Sequence, residues 1–307
     1  MNKTFLLFNH QNKGIPYRDG LLSQGWRMTS KDPELVLVDR EWTIINDGSP
    51  RKFLKRFLGD SRLIIYPHSV LPPWWYDGLV NIHPAVKAVI VVGEGQADAL
   101  KKIDLGIHSV VSGWPYCAQK SFKAPKVVKR VLFAPIHPSG KMLRPEAREA
   151  NESIMKDLVR LLSSKTIDQV IVRYIGDRET QGIASVNHPR IGWRKGVPNG
   201  SHEEIDVADL VIAEGFFMYL SVARGRPTIG INQHLPMTTN RDSGRYVPKN
   251  WKRYGEDMAY PISYGDKDLE SLMGDALLEQ SDWRSRFVGP PMDEVRFSSI
   301  MEDFARN

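Results

Sequence analysis

The sequence predicts an α/β fold of two Rossmann-like halves, each built on a parallel sheet. Three observations predict it. Short apolar runs such as Leu63-Ile64-Ile65 and Val89-Ile90-Val91-Val92 are continuous rather than alternating, as strands covered by helices on both faces require. These runs alternate with helical segments, so that the chain reads as successive βαβ units. The length of 307 residues exceeds the usual size of one compact core and favours two domains of about 150 residues each.

In the N-terminal half, apolar runs at 4–8, 34–38, 42–45, 62–66, 88–92 and 107–111 read as strands. Between the last two, 95–103 carries helix formers ending in Lys101-Lys102, and Gly106 is placed to end the turn before the next strand. A lysine-rich stretch without periodicity runs to Arg130, and a fresh strand follows; the domain boundary is placed at 128/129. The second half repeats the logic with strand 131–134, loop 136–144, helix 146–162 and strand 169–174. That helix carries Ile154, Leu158, Leu161 and Leu162 on one face. Ser201-His202-Glu203-Glu204 has the form of a capping box, so a short helix should start there. Strand 209–213, the turn Glu214-Gly215, helix 216–224, Gly225 as C-cap, Pro227 and strand 228–231 form the sharpest βαβ unit. A helix over 269–278 follows, and Pro290-Pro291 precede a last helix over 292–305, within a segment 283–307 expected to pack back on the domains 1–128 and 129–282.

Hydrophobic residues at 41% and charged residues at 25% are ordinary globular values, and no stretch is low in complexity or periodic, which argues against disorder and solenoids. The apolar run near the N-terminus is too short for a signal peptide, and no segment approaches the roughly 18 apolar residues of a membrane span. The expected location is cytoplasmic, with no membrane span. Cys117 is the single cysteine, so no internal disulfide and no cysteine-based zinc cluster is possible. The formal charge of +6 points to an anionic partner: a nucleotide, a phosphorylated polymer, nucleic acid or a membrane surface. The basic excess is clustered at 51–56, 120–130 and 241–253; for the first cluster a solvated helix face explains the charges as well as a binding patch does.

Several loops carry chemistry. Gly93-Glu94-Gly95-Gln96 follows a strand and opens a helix, but Asp98 stands where a dinucleotide loop has its third glycine, and a tight turn explains the two glycines. Asp266-Lys267-Asp268 resembles a metal-holding D-x-D, yet it precedes helix 269–278, where aspartates cap orphan amides; no metal site is assigned. In His137-Pro138-Ser139-Gly140-Lys141, backbone amides, Ser139 and Lys141 are suited to receive a phosphate, the competing reading being an ordinary polar loop. Glu214-Gly215 ends a parallel strand where open α/β sheets bind ligands, and a carboxylate there can clasp ribose hydroxyls; a turn glycine with a capping acid is the alternative. His68, at a strand end, suits a general base because imidazole titrates near neutrality, and Asp19 is a second candidate. Trp74-Trp75-Tyr76, on a proline-stiffened loop, offer a stacking surface for a sugar or base, with core packing of one or two of them as the alternative. The polar loop with His10 and Lys13 follows the first strand and suits contact with either substrate.

The run Ala208-Asp209-Leu210-Val211-Ile212-Ala213-Glu214-Gly215-Phe216, continued by Gly225-Arg226-Pro227-Thr228-Ile229, resembles the donor-binding domain of GT-B glycosyltransferases. Gly113-Trp114-Pro115 resembles the G-x-P that closes their N-terminal domain, and Pro67-His68-Ser69 the His-Gly region of the CDP-glycerol glycerophosphotransferase branch. The resemblance implies a GT-B-like fold of two facing Rossmann-like domains, the N-terminal one for the acceptor and the C-terminal one for the donor nucleotide. It implies transfer from a nucleotide sugar, UDP-linked or otherwise, to a hydroxyl, with no tightly bound cofactor. His68 or Asp19 would be the base; Ser139, Lys141 and Arg173 would hold the diphosphate and Glu214 the ribose, with Gly140, Gly215 and Phe216 in the same donor-binding site. His10, Lys13, Trp74, Trp75 and Tyr76 would meet an anionic acceptor. A short, basic GT-B chain is also similar to phage enzymes that glycosylate hydroxymethylated bases in DNA, so modified DNA and an envelope polymer both stand as acceptors. Two departures leave the stereochemistry open: Glu214-Gly215-Phe216-Phe217 replace a Ser-Ser pair of the glycerophosphotransferase branch, and Val222 replaces the second glutamate of the retaining branch. The alternatives are a sugar-nucleotide epimerase of the same fold, a non-catalytic nucleic-acid-binding protein, and a catalytically dead scaffold.

Overall fold

The structure, a computed structural model, describes residues 2–8, 14–39, 62–67, 86–103, 108–117, 125–136, 145–196, 203–231, 237–239, 246–248, 268–278 and 288–306. The chain divides into two compact units, one comprising Met1–Cys117, Lys252–Met258 and Ser285–Asn307, the other Ala118–Trp251 and Ala259–Arg284.

The first unit holds strands β1 (Thr4–Phe8), β2 (Arg27–Met28), β3 (Leu35–Asp39), β4 (Arg62–Tyr66), β5 (Val86–Val91) and β6 (His108–Val111), with helices α1 (Ile15–Ser23) and α2 (Glu94–Ile103). All pairings are parallel, in the order β2-β1-β3-β4-β5-β6. Leu35, Leu37, Ile64, Tyr66, Ala88 and Ile90 bury one face, while Val36, Val38, Leu63, Ile65, Val89 and Val91 bury the other. Burial on both faces is why these strands read as continuous apolar runs. The strand anticipated at 42–45 lies outside the described residues.

The C-terminal segment belongs to this first unit. Its helix runs over Glu294–Arg306, and the Asp293 carboxylate accepts from the amides of Val295 and Arg296 at 2.9 and 3.1 Å, a side-chain N-cap. Phe297 and Met301 enter the core beside Tyr17 and Leu21 of α1, and the Trp26 indole donates to the Ser298 hydroxyl at 2.9 Å. Just upstream, the Trp114 amide donates to the Pro290 carbonyl at 2.8 Å and the Met292 amide to the Trp114 carbonyl at 3.3 Å. Gly113 lies at φ +78°, where a Cβ would stand 2.6 Å from the Pro291 oxygen; Gly289 lies at φ +68°, where a Cβ would overlap the Val92 carbonyl. Backbone thus meets backbone at both glycines, which is why the Gly113-Trp114-Pro115 turn carries no side chain at its first position.

The second unit carries β7 (Arg130–Phe133), α3 (Pro145–Ser163), β8 (Gln169–Tyr174), β9 (Ile191–Lys195), α4 (Glu203–Val207), β10 (Leu210–Ala213), α5 (Gly215–Ala223), β11 (Thr228–Gly230), an antiparallel pair β12 (Met237–Thr239) and β13 (Tyr246–Pro248), and α6 (Leu269–Leu278); the C-terminal helix is α7. Its five main strands are parallel in the order β11-β10-β7-β8-β9. Ile154, Leu158, Leu161 and Leu162 of α3 share a core with Val131, Phe133, Val170, Val172, Leu210 and Ile212. The amino edge of this sheet is held by charge. Asp209 accepts from the Lys129 and Arg130 amides at 2.9 and 2.7 Å, and Asp206 accepts from the Arg224 guanidinium and, through its carbonyl, from Arg226. Gly225, at φ +75°, ends α5 in the left-handed conformation expected of a C-cap glycine. Asp268 accepts from the Ser271 amide at 3.0 Å and its hydroxyl at 2.6 Å, so this aspartate is a helix cap.

Replacing Gly289 by Ala adds left-handed strain and a backbone clash, and should cost about 2 kcal/mol or more in urea unfolding. Gly192→Ala, where no atom lies within 4 Å, should be near neutral. The Ser271 hydroxyl and then its amide hold the Asp268 carboxyl below its ordinary range. A depressed folded value means that its contribution is full above the ordinary carboxylate range and is lost as pH falls through the folded value. Asp268→Asn, which keeps a capping oxygen, should therefore make the acid side of the stability profile shallower.

Candidate functional site

Parallel sheets covered on both faces expose backbone and loops only at their ends, and ligands collect at the carboxyl edge where the strand order reverses. In the second unit, the chain leaves β7 towards β8 and β9, then returns to the other side of β7 as β10 and β11. The reversal lies between β7 and β10. There the Ala134 amide donates to the Ile212 carbonyl, and on the other side of β10 the Ile231 amide donates to the Ala213 carbonyl, both at 2.9 Å. Two residues beyond these bonds are Ile136 on one side and Glu214-Gly215 on the other. Glu214 is extended, at φ −113° and ψ 156°, and Gly215 takes φ +58° to turn the chain into α5. A Cβ on Gly215 would meet open space, so the glycine answers to conformation and not to crowding. The acid at the start of α5 is its N-cap residue, Glu214; the first turn itself contains no acidic residue.

Arg173 stands near the carboxyl end of β8, one residue beyond Val172 and hence on the opposite face from α3. It is 6% exposed. Its guanidinium carbon lies 4.7 Å from the centroid of the Phe217 ring in α5, and its Nε lies 3.7 Å from Glu204 Oε2 in α4. A Cβ on Gly196 would come within 2.5 Å of the guanidinium carbon. Burying a cation requires such compensation, and the carboxylate and the ring face supply it. Arg173 therefore ties β8 to α4 and to the first turn of α5, beside the reversal point. Phe217 and Glu204 carry that contact, and nothing local in the sequence paired either with Arg173. Ser139, Gly140 and Lys141 follow β7 but lie outside the described residues, as does Ser201 of the anticipated capping box.

In the first unit the order reverses between β1 and β3. The Tyr66 hydroxyl donates to the Phe8 carbonyl at 2.9 Å, and the Tyr17 hydroxyl donates to the Pro67 carbonyl at 3.1 Å. The two rings pack at 5.4 Å, and Phe297 of α7 packs on Tyr17 at 5.5 Å. These hydroxyls fix the chain where it leaves β1 and β4, immediately before the segments bearing His10, Lys13 and His68. Those residues and Trp74, Trp75 and Tyr76 lie outside the described residues. Asp19 lies on the outer side of α1, 55% exposed, with its carboxylate 2.7 Å from Arg18 Nη2. Phe216 is half-buried in the first turn of α5. Among the described residues, no helix is long and apolar enough to cross a membrane.

No family model matches the sequence, and no curated protein matches it at a significant level. Solved structures do match. A variant of the wall teichoic acid polymerase TagF aligns over 100% of this chain and 90% of its own, with a TM-score of 0.54 at 10% identity. Another TagF variant, soaked with CDPG, aligns over 100% and 89%, with a TM-score of 0.52 at 9% identity. The fold is that of the GT-B glycosyltransferases. A chain of the GtfA/B complex matches at a TM-score of 0.48 and 13% identity over 89% of this chain; the chain spans 57% of that relative's length. At such identities the likeness is one of fold. Within the GT-B fold, the second unit supplies a doubly wound five-stranded sheet whose reversal point carries Glu214, Gly215 and α5.

Truncating one member of the buried Arg173–Glu204 pair strands the other. Arg173→Ala should cost about 3 kcal/mol in chemical denaturation, and the double variant with Glu204→Ala should recover part of that loss.

Proposed function

We propose that the chain is a glycosyltransferase moving a sugar from a nucleotide-sugar donor to a hydroxyl of an anionic acceptor. The observation that carries the reading is the reversal point between β7 and β10, on a GT-B fold, with the Glu214-Gly215 turn and the amino end of α5 at its carboxyl edge. In this reading the diphosphate meets the positive end of α5 at Gly215 and Phe216, with Ser139, Gly140, Lys141 and Arg173 around it. The Glu214 carboxylate accepts from the ribose hydroxyls. Arg173, already compensated by Glu204 and Phe217, acts through its field and its hold on α5.

The base takes a proton from the acceptor hydroxyl while that oxygen attacks the anomeric carbon, and the sugar–phosphate bond breaks with its electron pair leaving on the nucleoside diphosphate. Fixed positive charge at the leaving group lowers the barrier. His68 is favoured over Asp19 for the base, since it directly follows Pro67, whose carbonyl Tyr17 anchors, while Asp19 is turned to solvent beside Arg18. The net charge of +6 and the aromatic run Trp74-Trp75-Tyr76 suit an acceptor such as hydroxymethylated DNA or a phosphate-bearing envelope polymer.

A thermal-shift panel of UDP, CDP, GDP, ADP and their common sugars tests this, because a ligand of the folded state raises Tm. One nucleotide should give a selective shift that Glu214→Ala abolishes. His68→Ala should retain that shift and lower the transfer rate by about 10²–10⁴-fold. No shift with any nucleotide, together with steeply salt-dependent binding to nucleic acid, would replace the proposal by a nucleic-acid-binding role.

A further inference from the structure

Asn151, in α3, is fully buried, and its Oδ1 accepts from the Ile136 amide at 3.1 Å. That bond fixes the amide's orientation, because only the oxygen can accept from an N–H. The Nδ2 group is therefore a donor, and among the described residues it has no hydrogen-bond partner. A buried amide donor without an acceptor loses its hydration with nothing in return. Such a group in a native fold calls for an explanation.

Its place supplies one. Ile136 is two residues past Ala134, whose amide bonds Ile212; Glu214 is two residues past Ile212. Asn151 thus reaches from the α3 face into the end of β7 beside β10, at the level of the turn into α5.

Gln96 offers an internal comparison. Its Oε1 accepts from the Val92 amide at 3.0 Å, its Nε2 has no partner among the described residues, and it too is fully buried. The holding of a backbone amide just past a parallel strand is common to both units. Yet β5 runs between β4 and β6, away from any reversal, and Gly289 closes against the Val92 carbonyl at its end. Of the two, Asn151 is the one that stands where the strand order turns back.

We infer that Asn151 Nδ2 is a positioning donor for a phosphoryl oxygen of the nucleoside diphosphate, completing from the α3 face the site that the α5 amides approach from the other. The inference rests on the nucleotide reading above. A phosphoryl oxygen is the acceptor that fits a buried, uncharged donor beside a positive helix end, because the charge-assisted bond recovers the donor's desolvation. The competing occupant is an ordered water.

Asn151→Asp keeps an oxygen for the Ile136 amide and replaces the donor by an anionic acceptor. Affinity for UDP, CDP, GDP and ADP is measured by calorimetry on the wild type, on Asn151→Asp and on Gln96→Glu, with inorganic phosphate run alongside. Asn151→Asp should weaken the bound nucleotide at least tenfold, while Gln96→Glu should leave its affinity unchanged. Equal affinity in Asn151→Asp and the wild type would overturn the inference and leave the nucleotide reading standing; no nucleotide binding by the wild type would remove both. Should Asn151→Asp fail to fold, the wild-type chain decides by ¹⁵N NMR: the Asn151 side-chain amide protons should shift on saturation with the bound nucleotide, and an unmoved pair would overturn the inference.

Discussion

A parallel sheet buried on both faces leaves the protein only its strand ends for chemistry, and this constraint governs both units. Faces filled by Leu37, Ile64 and Ile90 on one side and Val38, Ile65 and Val91 on the other have no room for a ligand. Polar groups must gather at the edges, and the second unit divides its edges by task. At the amino edge, Asp206 and Asp209 bind Arg224, Arg226 and two backbone amides, and lock the sheet. At the carboxyl edge the groups are arranged differently: an extended Glu214 at the N-cap of α5 and a left-handed Gly215 that opens the helix.

The fold was legible to the extent that burial alone dictated the pattern. Strands Arg62–Tyr66 and Gln169–Tyr174 and helix Leu269–Leu278 stand where the apolar runs place them, because each is buried by its own composition; strand Thr4–Phe8 stands there too, with Phe5 alone fully buried. Helix Ile15–Ser23 was not anticipated, since Arg18, Asp19 and Gly20 interrupt its apolar face and only Tyr17 and Leu21 are deeply buried hydrophobes. Strand Ile191–Lys195 escaped for the opposite reason: it is an edge strand, partly exposed and carrying Arg194 and Lys195, and its pairing with Val170–Tyr174 is a tertiary fact. The hairpin of Met237–Thr239 with Tyr246–Pro248 is too short to leave a periodic trace.

The site divides in the same way. The Glu214-Gly215 turn was readable because a strand, a glycine and an apolar helix follow one another directly in the sequence. Arg173 was readable as a cation at a strand end, but its engagement by Phe217 and Glu204 depends on residues more than thirty positions away. Tyr17 and Tyr66 gave no signal of their own, because a tyrosine in an apolar run reads as core; their hydroxyls act on carbonyls 50 and 58 residues distant. Asn151 read as one polar position in an amphipathic helix, and only its bond to Ile136 sets it apart.

The central claim is that a nucleoside diphosphate is held at the carboxyl edge between β7 and β10. Hydrogen exchange followed by mass spectrometry, with and without the nucleotide that raises Tm, tests it on the intact chain. Bound nucleotide should slow exchange in peptides covering 134–136 and 214–218 and leave the amino-edge peptides around 129 and 209 unchanged. Slowed exchange confined to the first unit, with 214–218 unaffected, would contradict it.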